Sequence, residues 1–182
     1  MSRETNLPIT YRPFSLAIKN KDKNVPEPYR TNQLRGLPVL RMVSRMRLIG
    51  QGDSPLVDEL YRQFAKSYHI DGRRETSATE VAKAVGIEND IIASQNDLAL
   101  DAAIEDEMNY ALSFTGNDVG VPIVVVEDNA GVFGFFGPIL HRLPDVDHSL
   151  KLFNALLDLS QIECFSELKR SRSSVDVGKA LV

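Results

Sequence analysis

Few side chains in this sequence carry reactive chemistry, and they are thinly spread. There is one cysteine, Cys164, which cannot make an internal disulfide. Three histidines, His69, His141 and His148, are scattered, and no cluster offers zinc-ligand spacing, so no metal is expected. Glu105, Asp106 and Glu107 could suggest paired catalytic carboxylates. Adjacent helical residues point in different directions, so the triplet reads as a solvated face. Val121-Pro122 offers backbone chemistry instead. Proline cannot donate to a strand ladder and belongs at a strand start. A cis peptide before it would turn the Val121 backbone toward whatever faces the strand, where it could pair with a thiol compound or an extended peptide. Taken alone, the Val-Pro step predicts an ordinary trans proline, because cis is a small minority of X-Pro bonds.

These residues need elements to position them. LPITYRPFSLAI (7–18) is β-branched and aromatic, which predicts a strand, with Pro8 and Pro13 making it an edge strand or an interrupted one. KNKDKNVPEPYRTNQLRG (19–36) reads as a loop. Helical spacing begins at Pro38, with Val39, Val43, Met46 and Ile49 on one face. Ser54 caps a second helix, Pro55 opens it, and Val57, Leu60, Phe64 and Tyr68 form its inner stripe. Ser77 with Glu80 makes a capping box for a short helix ending near Gly86. Another short helical piece follows, then a longer helix capped by Asn96 or Asp97, with Leu100, Ile104, Met108 and Ala111 on one face. Residues 122–127 and 132–136 are apolar runs joined by Asp128, Asn129, Ala130 and Gly131, an antiparallel hairpin. A last helix covers about 147–160, with Leu150, Phe153 and Leu157 inward. The class is α+β, with a helical block, 38–114, inserted between an N-terminal strand and a C-terminal hairpin and helix, 119–160.

The 182 residues fit one domain, with 43% apolar and 25% charged residues, ordinary for a globular protein. A net charge of -4 offers no basic field to nucleic acid. The only basic run, Lys169-Arg170-Ser171-Arg172, reads as a solvated tail or helix end. No run approaches the roughly 20 apolar residues of a membrane span, and the N-terminus has no signal-peptide pattern, so the chain as given reads as cytoplasmic.

GNDVGVPIVVV, then a hairpin, FFGPIL, a helix and FSELKR (165–170) resemble the C-terminal part of the DsbA-like thioredoxin-fold family. SLAIKN (15–20), PEPYR (26–30) and YHIDGR (68–73) resemble its actinobacterial mycothiol-dependent nitroreductase branch. The likeness runs over nearly all of residues 7–174 in order and spacing. It implies a thioredoxin domain with a helical insertion and a cis Val121-Pro122 bond. It also implies that Asn20, Tyr29 and His69 surround a thiol site, with mycothiol or another low-molecular-weight thiol as co-substrate and no bound cofactor. The bland alternatives are a turn residue at 20, a loop anchor at 29, and a histidine at 69 that only satisfies helix-terminal carbonyls.

The chain departs from that pattern at its start. The family begins with a strand, a Cys-Pro-Trp-Cys-like motif and a helix, and MSRETN would match the end of that helix. No residue here corresponds to the catalytic cysteines, and Cys164 is expected to be a small, partly buried apolar residue. The chemistry needs a thiolate activated at a helix N-terminus and a second thiol to resolve the mixed disulfide. The resemblance also implies that the missing strand lies between residues 7–18 and 122–136, leaving two inner edges unpaired. Each orphaned buried polar group costs about 1–3 kcal/mol, against a net stability of about 5–15 kcal/mol. The edges are therefore expected to close on each other or pair with a second copy as a homodimer, unless the true start lies upstream or the chain is an unstable remnant. Three functions follow. The first is a thiol-disulfide oxidoreductase, acting on a small thiol or disulfide and inactive as this chain. The second is a non-catalytic thiol- or peptide-binding module. The third is a relative of the 2-hydroxychromene-2-carboxylate isomerases, which use glutathione.

Overall fold

A computed structural model of the chain describes residues 7–73, 75–129, 131–140 and 144–171. In chain order its elements are α1 (Leu16–Lys19), α2 (Glu27–Arg35), α3 (Leu37–Leu48), α4 (Pro55–His69), α5 (Ala78–Val85), α6 (Asn89–Ala93), a 3-10 turn (Ser94–Asn96), α7 (Leu100–Thr115), β1 (Ile123–Asp128), β2 (Gly131–Phe136) and α8 (Val146–Ser160). The mixture is α+β. The chain divides into two compact units: a helical unit, Thr10–Tyr110, and a hairpin unit made of Met1–Ile9 with Ala111–Val182.

The helical unit is built by well-signalled helices. Pro38 sits in the first turn of α3, where its missing N–H has no intrahelical partner to lose. The Ser54 hydroxyl accepts from the Leu56 N–H at 3.3 Å and Pro55 opens α4. Ser77 caps α5 through the Thr79 N–H at 3.2 Å, and Gly86 ends it at φ 91, a left-handed turn that glycine adopts without a Cβ clash. The apolar faces of α3, α4, α5 and α6 meet in one cluster around Met42, Met46, Leu60 and Ile91. A second cluster joins Leu37 to Ile104 and Met108 of α7, with Phe14 and Ile18 packed against it. The expected stripe on α3 needs one change. Ile49 is exposed, and Met42 takes a fully buried place, because the helix stops at Leu48 and its inner face turns toward residue 42.

The hairpin unit pairs β1 and β2 antiparallel, with Ile123 opposite Phe136 and Asp128 opposite Gly131. The Asp128 carboxylate accepts from the Gly131 N–H at 3.2 Å, which closes the turn. Gly134 brings β2 close to α7: a Cβ there would lie 2.4 Å from Phe114 Cβ. Asp145 caps α8, and α8 packs against β2. Leu150, Phe153 and Leu157 are only half-buried.

Two expected elements differ. Residues 7–18 form no strand, and among the described residues the sheet has two strands, β1 and β2. Pro8 and Pro13 lack the N–H that a ladder requires, and Ser15 caps α1 instead, its hydroxyl accepting from the Ile18 N–H at 3.2 Å. Conversely, residues 19–36 are not all loop, since α2 occupies Glu27–Arg35. Pro26 and Pro28 punctuate the sequence like a loop, yet they stand at the N-cap and first turn, where proline suits a helix.

Candidate functional site

Asn20 ends α1, and its backbone N–H donates to the Leu16 carbonyl at 3.1 Å. Its own carbonyl accepts from the Lys23 N–H at 3.0 Å, and the Lys23 carbonyl accepts from Arg30 Nη2 at 2.9 Å. The turn after Asn20 is thereby tied to the second turn of α2, beside Tyr29. Tyr29 is 65% exposed, and its backbone N–H donates to Pro26. Neither the Asn20 amide nor the Tyr29 hydroxyl makes a hydrogen bond among the described residues, so both are available to a ligand.

His69 is the last residue of α4; its side chain lies outside what the structure describes. The backbone around it is well fixed. The N–H groups of Ile70 and Asp71 both donate to the Lys66 carbonyl, and the Arg73 N–H donates to the Ser67 carbonyl at 2.9 Å. Asp71 accepts from Lys66 Nζ at 2.8 Å and from Arg73 at 2.9 Å. The Lys66 ammonium, with Arg73 beside it, holds the Asp71 carboxyl below its usual range.

One residue here carries no local sequence signal. The Arg35 guanidinium, at the end of α2, stands 5.9 Å from the Tyr68 ring centroid and 3.1 Å from Glu75. It links the helix carrying Tyr29 to the residue before His69. Its Nη1 is buried without a hydrogen-bond partner. Contacts across more than thirty residues leave no periodicity to read.

In the hairpin unit, Val121 is 38% exposed, and its backbone makes no hydrogen bond among the described residues. The Val121–Pro122 peptide is cis, as is Gly137–Pro138. The Pro122 carbonyl accepts from the Gly137 N–H at 2.8 Å, so the two segments flanking the hairpin face each other. Cys164 is exposed rather than partly buried, since it follows α8 in a stretch where residues 161–171 are all exposed or nearly so. No group of three or more metal-ligating side chains occurs among the described residues, and no helix there is long and apolar enough to cross a membrane.

The acidic triplet is not a uniformly solvated face. Asp106 is exposed and Glu105 pairs with Lys21 at 3.2 Å. Glu107 is largely covered, its carboxylate held between Arg12 and Arg47, with Arg47 Nε at 2.8 Å. Burial opposes its charge, and hydrogen bonds from Arg12 and Arg47 override that, so the carboxyl titrates below its usual range. Arg12 also lies over the Tyr110 ring, 4.1 Å from its centroid. Arg47 reaches this position across Gly52, where an added Cβ would lie 2.8 Å from Arg47 Cγ. A paired carboxylate with both neighbours cationic is a structural anchor, not a general base.

Residues 1–170 match the family model Rv2466c-like, whose description reads Mycothiol-dependent nitroreductase Rv2466c. The chain belongs to that family.

Proposed function

We propose that the chain is a mycothiol-linked protein of the thiol-disulfide oxidoreductase class, with a DsbA-type thioredoxin-like fold in which 38–114 is a helical insertion and 119–160 the hairpin and helix. The match of residues 1–170 to a mycothiol-dependent reductase family carries this reading. Asn20, Tyr29 and His69 supply thiol-recognising groups from the helical unit. In the hairpin unit, described by itself, the Val121 backbone before the cis Val121–Pro122 bond offers unpaired polar groups of the kind that would pair with a thiol compound. The unbonded Asn20 amide and exposed Tyr29 hydroxyl support the first part. Mycothiol is the proposed co-substrate, and the cytoplasm the proposed compartment.

Disulfide exchange needs an activated thiolate and a second thiol to resolve the mixed disulfide. The 182 residues hold one cysteine. The purified 182-residue polypeptide is therefore expected to bind mycothiol without catalysing disulfide or nitro-group reduction with any thiol donor, and robust turnover would overturn this. Titration calorimetry with mycothiol tests the site. His69→Ala is expected to weaken binding at least several-fold with little change in melting temperature. A large melting shift with unchanged affinity would assign His69 to the helix end alone.

A further inference from the structure

The helix that carries Tyr29 is not held by apolar packing. α2 buries no residue, and its half-covered side chains are Arg30, Gln33 and Arg35, all polar. Its larger apolar side chains, Tyr29 and Leu34, are 65% and 50% exposed. Isolated helices shorter than about 12–15 residues are marginal in water, and α2 has 9. Most protein helices of that length draw their stability from an apolar face, which α2 lacks. A guanidinium near each end supplies polar contacts instead. Near the start, Arg30 Nη2 donates to the Lys23 carbonyl at 2.9 Å, a local tie to the turn after Asn20. At the end, Arg35 stands over the Tyr68 ring, 5.9 Å from its centroid, and pairs with Glu75 at 3.1 Å. This second contact crosses to the last turn of α4, where His69 follows Tyr68.

Arg35 is poorly placed as a stabiliser of the fold. Its partner Glu75 is 94% exposed, and ion pairs with exposed carboxylates contribute little. Its Nη1 is buried without a hydrogen-bond partner, and a covered charged donor left unpaired costs stability. A guanidinium kept at that cost points to a role other than folding.

We propose that Arg35 is a positioning residue for thiol recognition. It fixes the end of α2 against the Tyr68 ring, so that the Tyr29 hydroxyl is presented to a bound thiol in one place instead of moving with a loosely held helix. Tyr29 stands on the same helix roughly 9 Å from Arg35, at about 1.5 Å of rise per residue, so a tether at one end limits motion at the other. Arg35 acts through Tyr29 and touches no ligand itself. This role rests on the proposed mycothiol binding, and all of its residues lie in the helical unit.

Arg35→Met keeps a flexible apolar stem and removes both the charge and the orphaned donor. Its expected signature separates function from folding. Mycothiol affinity, read by titration calorimetry, falls roughly fivefold or more, while the melting temperature holds or rises because the unpaired N–H is gone. In a Tyr29→Ala background the same substitution costs less than about twofold in affinity, since residues that act through one another are not additive. Amide exchange by NMR speeds up across residues 31–35 and is unchanged in α4. A melting temperature that falls along with the affinity overturns the proposal, because Arg35 would then serve the fold. A variant that fails to fold overturns it for the same reason. Equal losses in the two backgrounds overturn it by removing Tyr29 from the path. Should the wild-type chain bind no mycothiol, the proposed function fails and exchange still decides the tether: faster rates across residues 31–35 uphold it, and unchanged rates overturn it.

Discussion

Among the described residues, every buried apolar side chain but Leu112 belongs to the helical unit. That unit satisfies both its backbone and its side chains: helices close their own hydrogen bonds, and Met42, Met46, Leu60 and Ile104 are fully covered. The hairpin unit satisfies its backbone along one side of β1 and leaves its apolar side chains half-covered, with Phe136, Ile139, Leu140, Val146, Ile162 and Phe165 exposed. A two-stranded hairpin is marginal by itself and gains stability from further strands or from helix packing. The two regions have similar apolar content and differ in whether it has been enclosed. Local periodicity builds a core where helices bring their own neighbours, whereas a strand depends on partners it cannot specify alone.

The comparison can be broken most directly in the helical core. Ile104→Ala empties a site with no solvent exposure and is expected to cost about 2–5 kcal/mol, read from the urea midpoint. Val126→Ala, in a half-buried strand position, is expected to cost well under half as much; equal costs would erase the contrast. In the hairpin unit the sharpest test is overpacking. Gly134→Ala forces a methyl against Phe114 and is expected to cost about 1–3 kcal/mol, because the obstructing atom is Phe114 Cβ, which cannot swing aside. A neutral result would mean that β2 and α7 separate easily.

A smaller effect belongs to Glu107. Its folded pKa lies below the unfolded value, so its stabilisation is complete above the unfolded pKa and is lost as pH falls through the folded one. Glu107→Gln is expected to cost about 1–2 kcal/mol at neutral pH, toward the lower end because Arg12 is 40% exposed. The difference from wild type should close as pH falls below the usual glutamate range, as the native carboxyl takes up its proton. Urea midpoints of both proteins across pH check this, and a gap constant down to strong acid would remove the two arginines from the explanation.

Where local chemistry decides, the sequence was readable. Ser54-Pro55, Ser77 with Gly86, and the turn from Asp128 to Gly131 each mark a boundary through atoms a few residues apart. It misled where the same residue types serve two ends. Prolines at 26 and 28 open a helix although they resemble loop residues, and β-branched residues at 7–18 found no strand partner. Glu107 was unreadable for a different reason, since its partners Arg12 and Arg47 lie 95 and 60 residues away. The family was legible through ordered motifs along the chain and is matched over residues 1–170. Of the candidate site, Asn20, Tyr29 and the Val121–Pro122 step could be named from those motifs, whereas Arg35 could not, because only the fold carries it to Tyr68.

Gly52 has a consequence beyond its own position. Its missing side chain leaves the room through which Arg47 runs to Glu107. Any larger residue there would meet the arginine stem at Cγ, and relief needs a χ1 change that carries the guanidinium away from Glu107. In a saturation library, position 52 should thus tolerate change poorly in the wild-type background and far better once residue 47 is short. Its intolerance would be inherited from a neighbour, and a heat map would display as a demand for glycine what is in fact a demand for arginine.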